Sequence, residues 1–307
     1  MRLAATAIGT GVPDSGLAGT VVCVYQRICL LGLSDQILLT LATSSFGHLP
    51  RGISLDSPSE FLPAGELAAG REFAARGGVL RFSGSTLSVD MRGARRWRCD
   101  LAGLKIDINR TPVLHAWNVA RAELCRDRRS HVLLQVAGRA VEDLLAATRR
   151  LVAAEAAPAV FALVGLGEGS TPAGDDFLVG YIAGLMASAG AFEPRIRFVS
   201  ALCEQLKASV SRTPRVSAMY LEAAAEGQVS ERLYTVAMCI AAGTDEERVI
   251  GAVRAALAVG HSSGASGVLG MVIGCTAWRK SRCAASDRRF WGMVDFATAS
   301  TRSDSPT

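Results

Sequence analysis

Two stretches of this chain, 177–192 and 255–278, contain no acidic or basic residue other than His261. A helix lying on a protein surface keeps a polar stripe, so a helix that is apolar or small on every side belongs in an interior. In the first stretch, at about 100° per residue, Leu178, Val179, Ile182 and Met186 share one side and Phe177, Tyr181 and Leu185 another, while Gly180, Ala183 and Gly184 fill the remainder. Glycines interrupt both runs, and His261 interrupts the second, which marks them as buried helices rather than membrane spans. The rest of the chain must therefore supply enough structure to cover two such helices. At 307 residues, half of them hydrophobic and a fifth charged, it can do so as one large domain or two modest ones. Only the last residues, "TRSDSPT" (301–307), read as a disordered tail.

The pattern predicts an α+β chain in two regimes. Up to residue 108 the signals are short and β-like: "RICLLGL" and "QILLTLA" flank a Ser34-Asp35 turn, followed by "GISL", "GVLRFSG", "TLSVDM" and "RWRCDL". From 109 to 300 the chain reads as mainly helical. Thr111 is placed to cap a helix with Pro112 at its first position. "RAVEDLLAATRRLVAAEAA" then repeats apolar residues at three and four, and further helices are expected near 193–209, 216–226, 229–242 and 245–259.

The formal charge of +5 permits an anionic ligand without demanding nucleic acid. Arginines are dense from Arg92 to Arg129, which suits an acidic partner, a phosphate or plain solvated surface; no aromatic ladder interleaves them, and no nucleic-acid motif accompanies them. Eight cysteines lie scattered at 23, 29, 99, 125, 203, 239, 275 and 283 without a CxxC pair. Several sit in apolar runs, so they read as reduced, packed thiols, consistent with the cytosol. The segment "MRLAATAIGTGVPDSG" has no apolar core of secretory-signal length.

Chemistry concentrates at "GLGEGSTPAGDDFLVGYIAG", residues 165–184. Thr171 before Pro172 signals a helix start, which puts Asp175 and Asp176 in the first turn. Acids there complement the helix dipole, worth about 0.3–1 kcal/mol each. Yet Asp175 stands above an apolar stripe, where an unpaired carboxylate is costly, so a metal, a substrate or a basic side chain should meet it. The glycines match neither GxxxxGK[ST] nor GxGxxG. The amides of Gly167, Gly169 and Ser170 could form an anion nest, and Glu168 with Asp175 and Asp176 could hold Mg²⁺ through oxygens. A ligand or metal site and a structural cap both remain open.

A second stretch, "GHSSGASGVLGMVIG" (260–274), repeats the arrangement: Gly174, Gly180 and Gly184 overlay Gly264, Gly270 and Gly274, and Asp176 overlays Ser266. The expectation is a quasi-repeat of two helices packed together, bringing His261, Ser262 and Ser263 near Asp175 and Asp176. A third, "SRTPRVSAMYLEAAAEGQVSERL" (211–233), sets Arg212, Thr213 and Arg215 before a helix that Thr213 or Ser217 could cap and Gly227 would end. Guanidinium beside hydroxyls suits a phosphate or carboxylate, although a capped surface helix explains the same residues. His115 and His131 read as structural.

At these three places the sequence resembles the bacterial AllH family, typified by a subunit of the oxamate carbamoyltransferase of allantoin catabolism. The family pattern runs roughly GxGxGxTPxGDDxxxG, then Thr and Ser before an "AAxG" helix, then "GHTSGxD". Here these fall on Gly165 to Gly180, on Thr213 and Ser217 through Gly227, and on Gly260 to Gly264. "YQRICLLGLSDQILLTLA" also resembles the family's opening hairpin. The last Asp of the pattern is Ser266 in this chain.

The resemblance implies a cytoplasmic subunit working beside FdrA-like and AllG-like subunits. The implied reaction is carbamoyl transfer between a ureido acid such as oxalurate and phosphate, in a system without nucleic acid or membrane. Such chemistry needs anion sites and a polarised carbonyl. Asp175, Asp176 and His261 are the candidate catalytic residues. Gly167, Glu168, Gly169, Ser170, Thr171, Arg212, Thr213, Arg215, Ser217, Ser262, Ser263 and Gly264 are the candidates for binding a small anionic substrate and phosphate. Asp175 and Asp176 are the candidate ligands should Mg²⁺ take part. A noncatalytic assembly subunit and a stand-alone Mg²⁺- or phosphate-ligand binder are the alternatives.

Overall fold

The computed structural model describes residues 1–33, 37–57, 61–63 and 65–279. The Ser34-Asp35 turn and the 301–307 tail lie outside the described residues. The chain divides into two compact units, one formed by Met1–Asp100 with Glu226–Thr235 and the other by Leu101–Ala225 with the chain from Val236 onward.

The first unit is a closed β-barrel. Its strands are β1 (Arg2–Gly9), β2 (Ala18–Val24), β3 (Ile28–Leu33), β4 (Leu38–Thr43), β5 (Gly52–Asp56), β6 (Glu72–Arg76), β7 (Val79–Phe82), β8 (Ser88–Asp90) and β9 (Arg95–Trp97). They follow the order β5-β4-β3-β2-β6-β7-β8-β1-β9, and an antiparallel β1–β5 pairing closes the ring. Closure leaves few unpaired edges, and the inward residues Leu31, Leu39, Leu41, Ile53, Leu55, Phe73, Leu80 and Val89 fill the interior. Strands β1, β2 and β6 escape the sequence pattern. In β1 the residues that alternate inward after Leu3 are Ala5 and Ala7, too small to stand out as a hydrophobic run.

Segment 226–235 is tied to this unit by reciprocal backbone links. The Glu231 N–H donates to the His48 carbonyl at 2.8 Å, and the His48 N–H donates to Glu231 Oε2 at 3.0 Å. The His48 ring is neutral for a geometric reason: Arg95, which can only donate, lies 2.8 Å from Nε2, so the proton sits on Nδ1 and is given to Ser54 Oγ at 2.8 Å.

The second unit is helical: α1 (Thr111–Arg126), α2 (Arg129–Arg150), α3 (Ala153–Leu163), α4 (Ala173–Ser188), α5 (Glu193–Ser209), α6 (Arg215–Ala225), most of α7 (Glu231–Ala242), α8 (Glu246–Leu257) and α9 (Ser263–Thr276). Two expectations need correction. Thr111 is the first helical residue rather than the cap, a position taken by Arg110 without a side-chain bond. The expected helix through 139–157 is two helices, because Leu151 turns into the left-handed region at φ 58° and its N–H is spent on Ala147 and Thr148 carbonyls.

Helices α4 and α9 form the centre, with α3, α5 and α6 against α4, α1 and α8 against α9, and α2 against both. Every residue of α9 from Ala265 to Cys275 is buried. The two helices meet backbone to backbone through glycines. A Cβ at Gly180 would lie 1.8 Å from the Gly267 carbonyl oxygen, and one at Gly270 would lie 2.0 Å from that of Phe177. One at Gly184 would lie 2.5 Å from the Met271 oxygen, and one at Gly274 2.4 Å from that of Tyr181. Each pair maps onto the other under the 90-residue overlay that sets Gly174 on Gly264, so the quasi-repeat is a structural two-fold. The contacts advance in the same sense along both helices, which therefore run parallel with their N-termini at one end.

Because the clashing partner is backbone on both sides, a methyl group at these sites cannot be absorbed by a rotamer change. Gly180→Ala and Gly270→Ala should each lower unfolding free energy by about 1–3 kcal/mol or more. Gly251→Ala, on α8 with no atom within 4 Å of the added carbon, should be neutral or stabilising by up to about 1 kcal/mol. Denaturant titrations of the three variants check this, and equal effects at all three would contradict the backbone contact.

Candidate functional site at the paired starts of α4 and α9

The connection from α3 to α4 folds back on itself through Gly165, Gly167 and Gly169, all at positive φ. At Gly165 glycine is required twice over, since φ is +76° and a Cβ would lie 2.7 Å from the Arg212 carbonyl oxygen. The Leu166 carbonyl accepts from the Gly174 N–H at 2.9 Å, which seats the first turn of α4 under the loop. Residues 167–170 are exposed at its tip.

Asp175 is 1% exposed and its carboxylate is fully used inside the protein. Oδ1 accepts from the Gly165 N–H at 2.8 Å, and Oδ2 accepts from the hydroxyls of Thr213 and Ser217, the latter at 2.6 Å. Its partners are one amide and two hydroxyls, and hydrogen bonds to a charged acceptor are worth about 1.5–3 kcal/mol each. The residue pins the glycine loop and the start of α6 to α4.

Asp176 has the opposite surroundings. Ser263, the first residue of α9, has its Oγ 2.9 Å from Thr171 Oγ1. Oδ2 of Asp176 is buried without a hydrogen-bond partner among the described residues. Burial, reinforced by the negative charge of Asp175 and opposed by the Ser263 bond, pushes its carboxyl up to about 8. A carboxyl in that range can give or take a proton near neutral pH.

The structure thus joins Thr171 with Ser263, and separately Asp175 with Thr213 and Ser217. The starts of α4 and α9 are close, since a Cβ on Gly267 would sit 3.6 Å from the Asp176 carbonyl oxygen. Ser262 occupies the cap position of α9 without a side-chain cap bond. Gly264 is a spacer, because a Cβ there would lie 2.1 Å from the Ala256 carbonyl oxygen of α8.

The His261 ring is exposed and makes no contact with either aspartate; what is held is its carbonyl, by Arg129 Nη1 at 2.9 Å. Arg212 is exposed and lies flat over the Phe161 ring, 3.2 Å from its centroid, and Arg215 is also exposed. Glu168 stands exposed at the loop tip, and the described residues hold no group of three His, Cys, Asp or Glu able to grip a metal. The three-acid Mg²⁺ arrangement is therefore not formed, because Asp175 has turned inward to the protein's own donors.

The arginine-rich run divides between the two units, and several of its members are engaged locally: Arg92 on Asp90, Arg95 on His48, Arg126 on the buried Glu123 and Arg129 on Asp127. Arg129 and the Gly165 amide are the site neighbours that sequence reasoning misses. Arg129 donates from its side chain to a backbone carbonyl and Gly165 donates from its own backbone N–H, and residue types give no signal for either link.

The raised carboxyl of Asp176 has a sign for stability. Between its ordinary value of 3.8 and about 8 the folded state holds a proton that the unfolded state has released, so stability falls as pH rises through that window. Asp176→Asn removes this term. Its melting temperature relative to the parent should therefore rise from pH 5 to pH 8 (roughly the span between the two values), and a constant difference would contradict a buried, proton-holding carboxyl.

Among the described residues no helix is long and apolar enough to cross a membrane. No disulfide joins the seven cysteines described. Two family models match the chain: one described as the AllH family N-terminal domain over residues 5–96, and one described as oxamate carbamoyltransferase subunit AllH over 163–275. The second begins at the end of α3 and stops in the last turn of α9, and so contains the whole candidate site. No curated protein and no solved structure matches the chain. With both family models in order and covering most of its length, the chain belongs to the AllH family.

Proposed function

We propose that this chain is the subunit of an oxamate carbamoyltransferase-like system at which the carbamoyl group is handled, in transfer between a ureido acid such as oxalurate and phosphate. FdrA-like and AllG-like chains are its proposed partners. The observation that carries the reading is Asp176: a carboxyl whose Oδ2 is buried and unclaimed by the protein, near the neighbouring N-termini of two parallel helices. Breaking the bond between a carbamoyl carbon and its amide nitrogen requires a proton on the departing nitrogen, and making it requires the reverse. A carboxyl tuned near neutrality suits both directions.

The two aligned helix starts favour negative charge on a bound carboxylate or phosphate. Arg212, Arg215 and His261, all exposed, and the amides of the 167–170 loop would serve as anion donors from the rim. Asp175 has no part in the chemistry on this reading. It holds Thr213, Ser217 and Gly165 in place, and Mg²⁺ is not invoked.

The test uses the reconstituted complex. Asp176→Asn should cut turnover at least about 100-fold, the range of a lost general acid or base, without lowering the melting temperature. Asp175→Asn should instead destabilise the chain, because three donors lose a carboxylate. A second reading, in which the subunit only assembles the complex, draws on the glycine contacts between α4 and α9. It expects Asp176→Asn to leave turnover intact once the complex has formed.

A further inference from the structure

We infer that Arg129 is a positioning residue of the site: pinned by Asp127, it fixes the turn between α8 and α9 that presents the Ser262 amide and the His261 ring to the anionic substrate. The inference rests on the carbamoyl-transfer reading above. Arginine offers several N–H donors in one rigid plane, and Arg129, the first residue of α2, uses both edges of it. On one edge Nε donates to Asp127 Oδ1 at 2.9 Å and to Oδ2 at 3.1 Å, and Nη2 also donates to Oδ2. On the other, Nη2 reaches the Leu257 carbonyl at 3.1 Å and Nη1 the His261 carbonyl at 2.9 Å. Leu257 is the last residue of α8, where carbonyls lack an intrahelical donor. A single guanidinium therefore ties the end of one helix to the turn leading into the next, while a carboxylate fixes its plane.

The grip on His261 carries direction. In a trans peptide the carbonyl oxygen and the following N–H point opposite ways. With the His261 oxygen drawn to Arg129, the Ser262 N–H is turned away from it. Ser262 is the cap residue of α9, at a helix start whose first amides have no intrahelical acceptor. Gly260 lies in the same turn at φ 62°, and a glycine there gives the segment other shapes to adopt. Bridging Leu257 and His261 removes that freedom from both sides of Gly260. Beyond the turn, Ser263 Oγ lies 2.9 Å from Thr171 Oγ1, which fastens it to the connection that opens α4.

Asp127 also serves the start of α2, where its Oδ1 accepts from the Arg129 N–H at 2.9 Å. The Arg129 guanidinium holds the Asp127 carboxyl below the usual carboxylate range, so the pair stays charged where Asp176 titrates. The turn is thus held by a clamp that does not itself respond to pH near neutrality.

The experiment compares Arg129→Ala, Arg129→Lys and Asp127→Asn with the parent. Hydrogen exchange in the full chain is followed on the peptide spanning 258–263, and the reconstituted complex is assayed with inorganic phosphate and oxalurate varied. Arg129→Ala should speed exchange in that peptide and raise KM for phosphate, each at least about tenfold, with a smaller change in kcat, the pattern of lost binding contacts. Arg129→Lys keeps the charge without the fork and should recover part of the affinity. Asp127→Asn keeps an acceptor for the Arg129 N–H but loses the ionic pin, and should fall between parent and Arg129→Ala. A brace with no part in the site would lower the melting temperature and the active fraction while KM stayed at the parent value.

Unchanged exchange, or faster exchange with unchanged KM, overturns the inference and leaves the carbamoyl reading standing. If KM rises in the Arg129 variants while Asp176→Asn turns over normally, the positioning role stands and the acid–base role falls. If neither set of variants alters the kinetics, both fall.

Discussion

The structure depends on a contact made without side chains. Glycines on α4 and α9 let the two backbones touch, each glycine facing a carbonyl of the other helix. Close approach of this kind gives up side-chain burial in exchange for dispersion between backbones and for a fixed register, because an added methyl has nowhere to go. Register then dictates the chemistry. With Gly180 set against Gly267 and Gly270 against Phe177, the first turns of the two helices lie side by side, and Thr171 Oγ1 just before one lies 2.9 Å from Ser263 Oγ of the other. A helix pair separated by ordinary apolar side chains, with axes about 8–10 Å apart, would hold the two groups farther apart.

Adjacent carboxylates on one helix turn are thereby given different fates. Asp175 points toward the loop and α6, where Gly165, Thr213 and Ser217 satisfy it. Its stability comes from hydrogen bonds to the charged form. Asp176 has its Oδ2 left buried without a hydrogen-bond partner among the described residues. Desolvation dominates there, and the fixed charge of Asp175 adds to it. The two neighbours thus stand in surroundings that differ in donor count, which is how paired carboxyls acquire distinct roles.

How much of this was legible in the residues varies with range. Helix α5 is read at its true limits, 193–209, because Glu193 and Pro194 mark its start and the apolar repeat is regular. The pairing of α4 with α9 is legible because identical glycine spacing survives in both segments. The Thr213 and Ser217 bonds to Asp175 are not, since the partners stand 38 and 42 positions apart and a helix start rich in hydroxyls explains itself locally as a cap. His261 draws attention as a reactive side chain, yet a turn residue's direction is set by tertiary packing, and here packing holds its carbonyl and leaves its ring outside. Strands β1 and β6 are hidden for the reverse reason, their inward positions being largely alanine or isolated phenylalanine.

The two-fold between the helix pairs is imperfect where the chemistry lies, and the imperfection is informative. The first connection, from Leu163 to Ala173, is longer than the second, from Leu257 to Ser263, and only the first carries the exposed glycine loop. Asp176 is matched across the two-fold by Ser266, which is 1% exposed and sits where the family pattern places an aspartate. A carboxylate at that position would lie in the same buried region and would raise the cost of ionising Asp176 further, as like charges do. With serine there, Asp175 is the acidic neighbour that adds to the burial of Asp176, and the proton on Asp176 remains exchangeable close to neutrality. The departure at Ser266 therefore bears on how acidic Asp176 is, and leaves the contact between Thr171 and Ser263 in place.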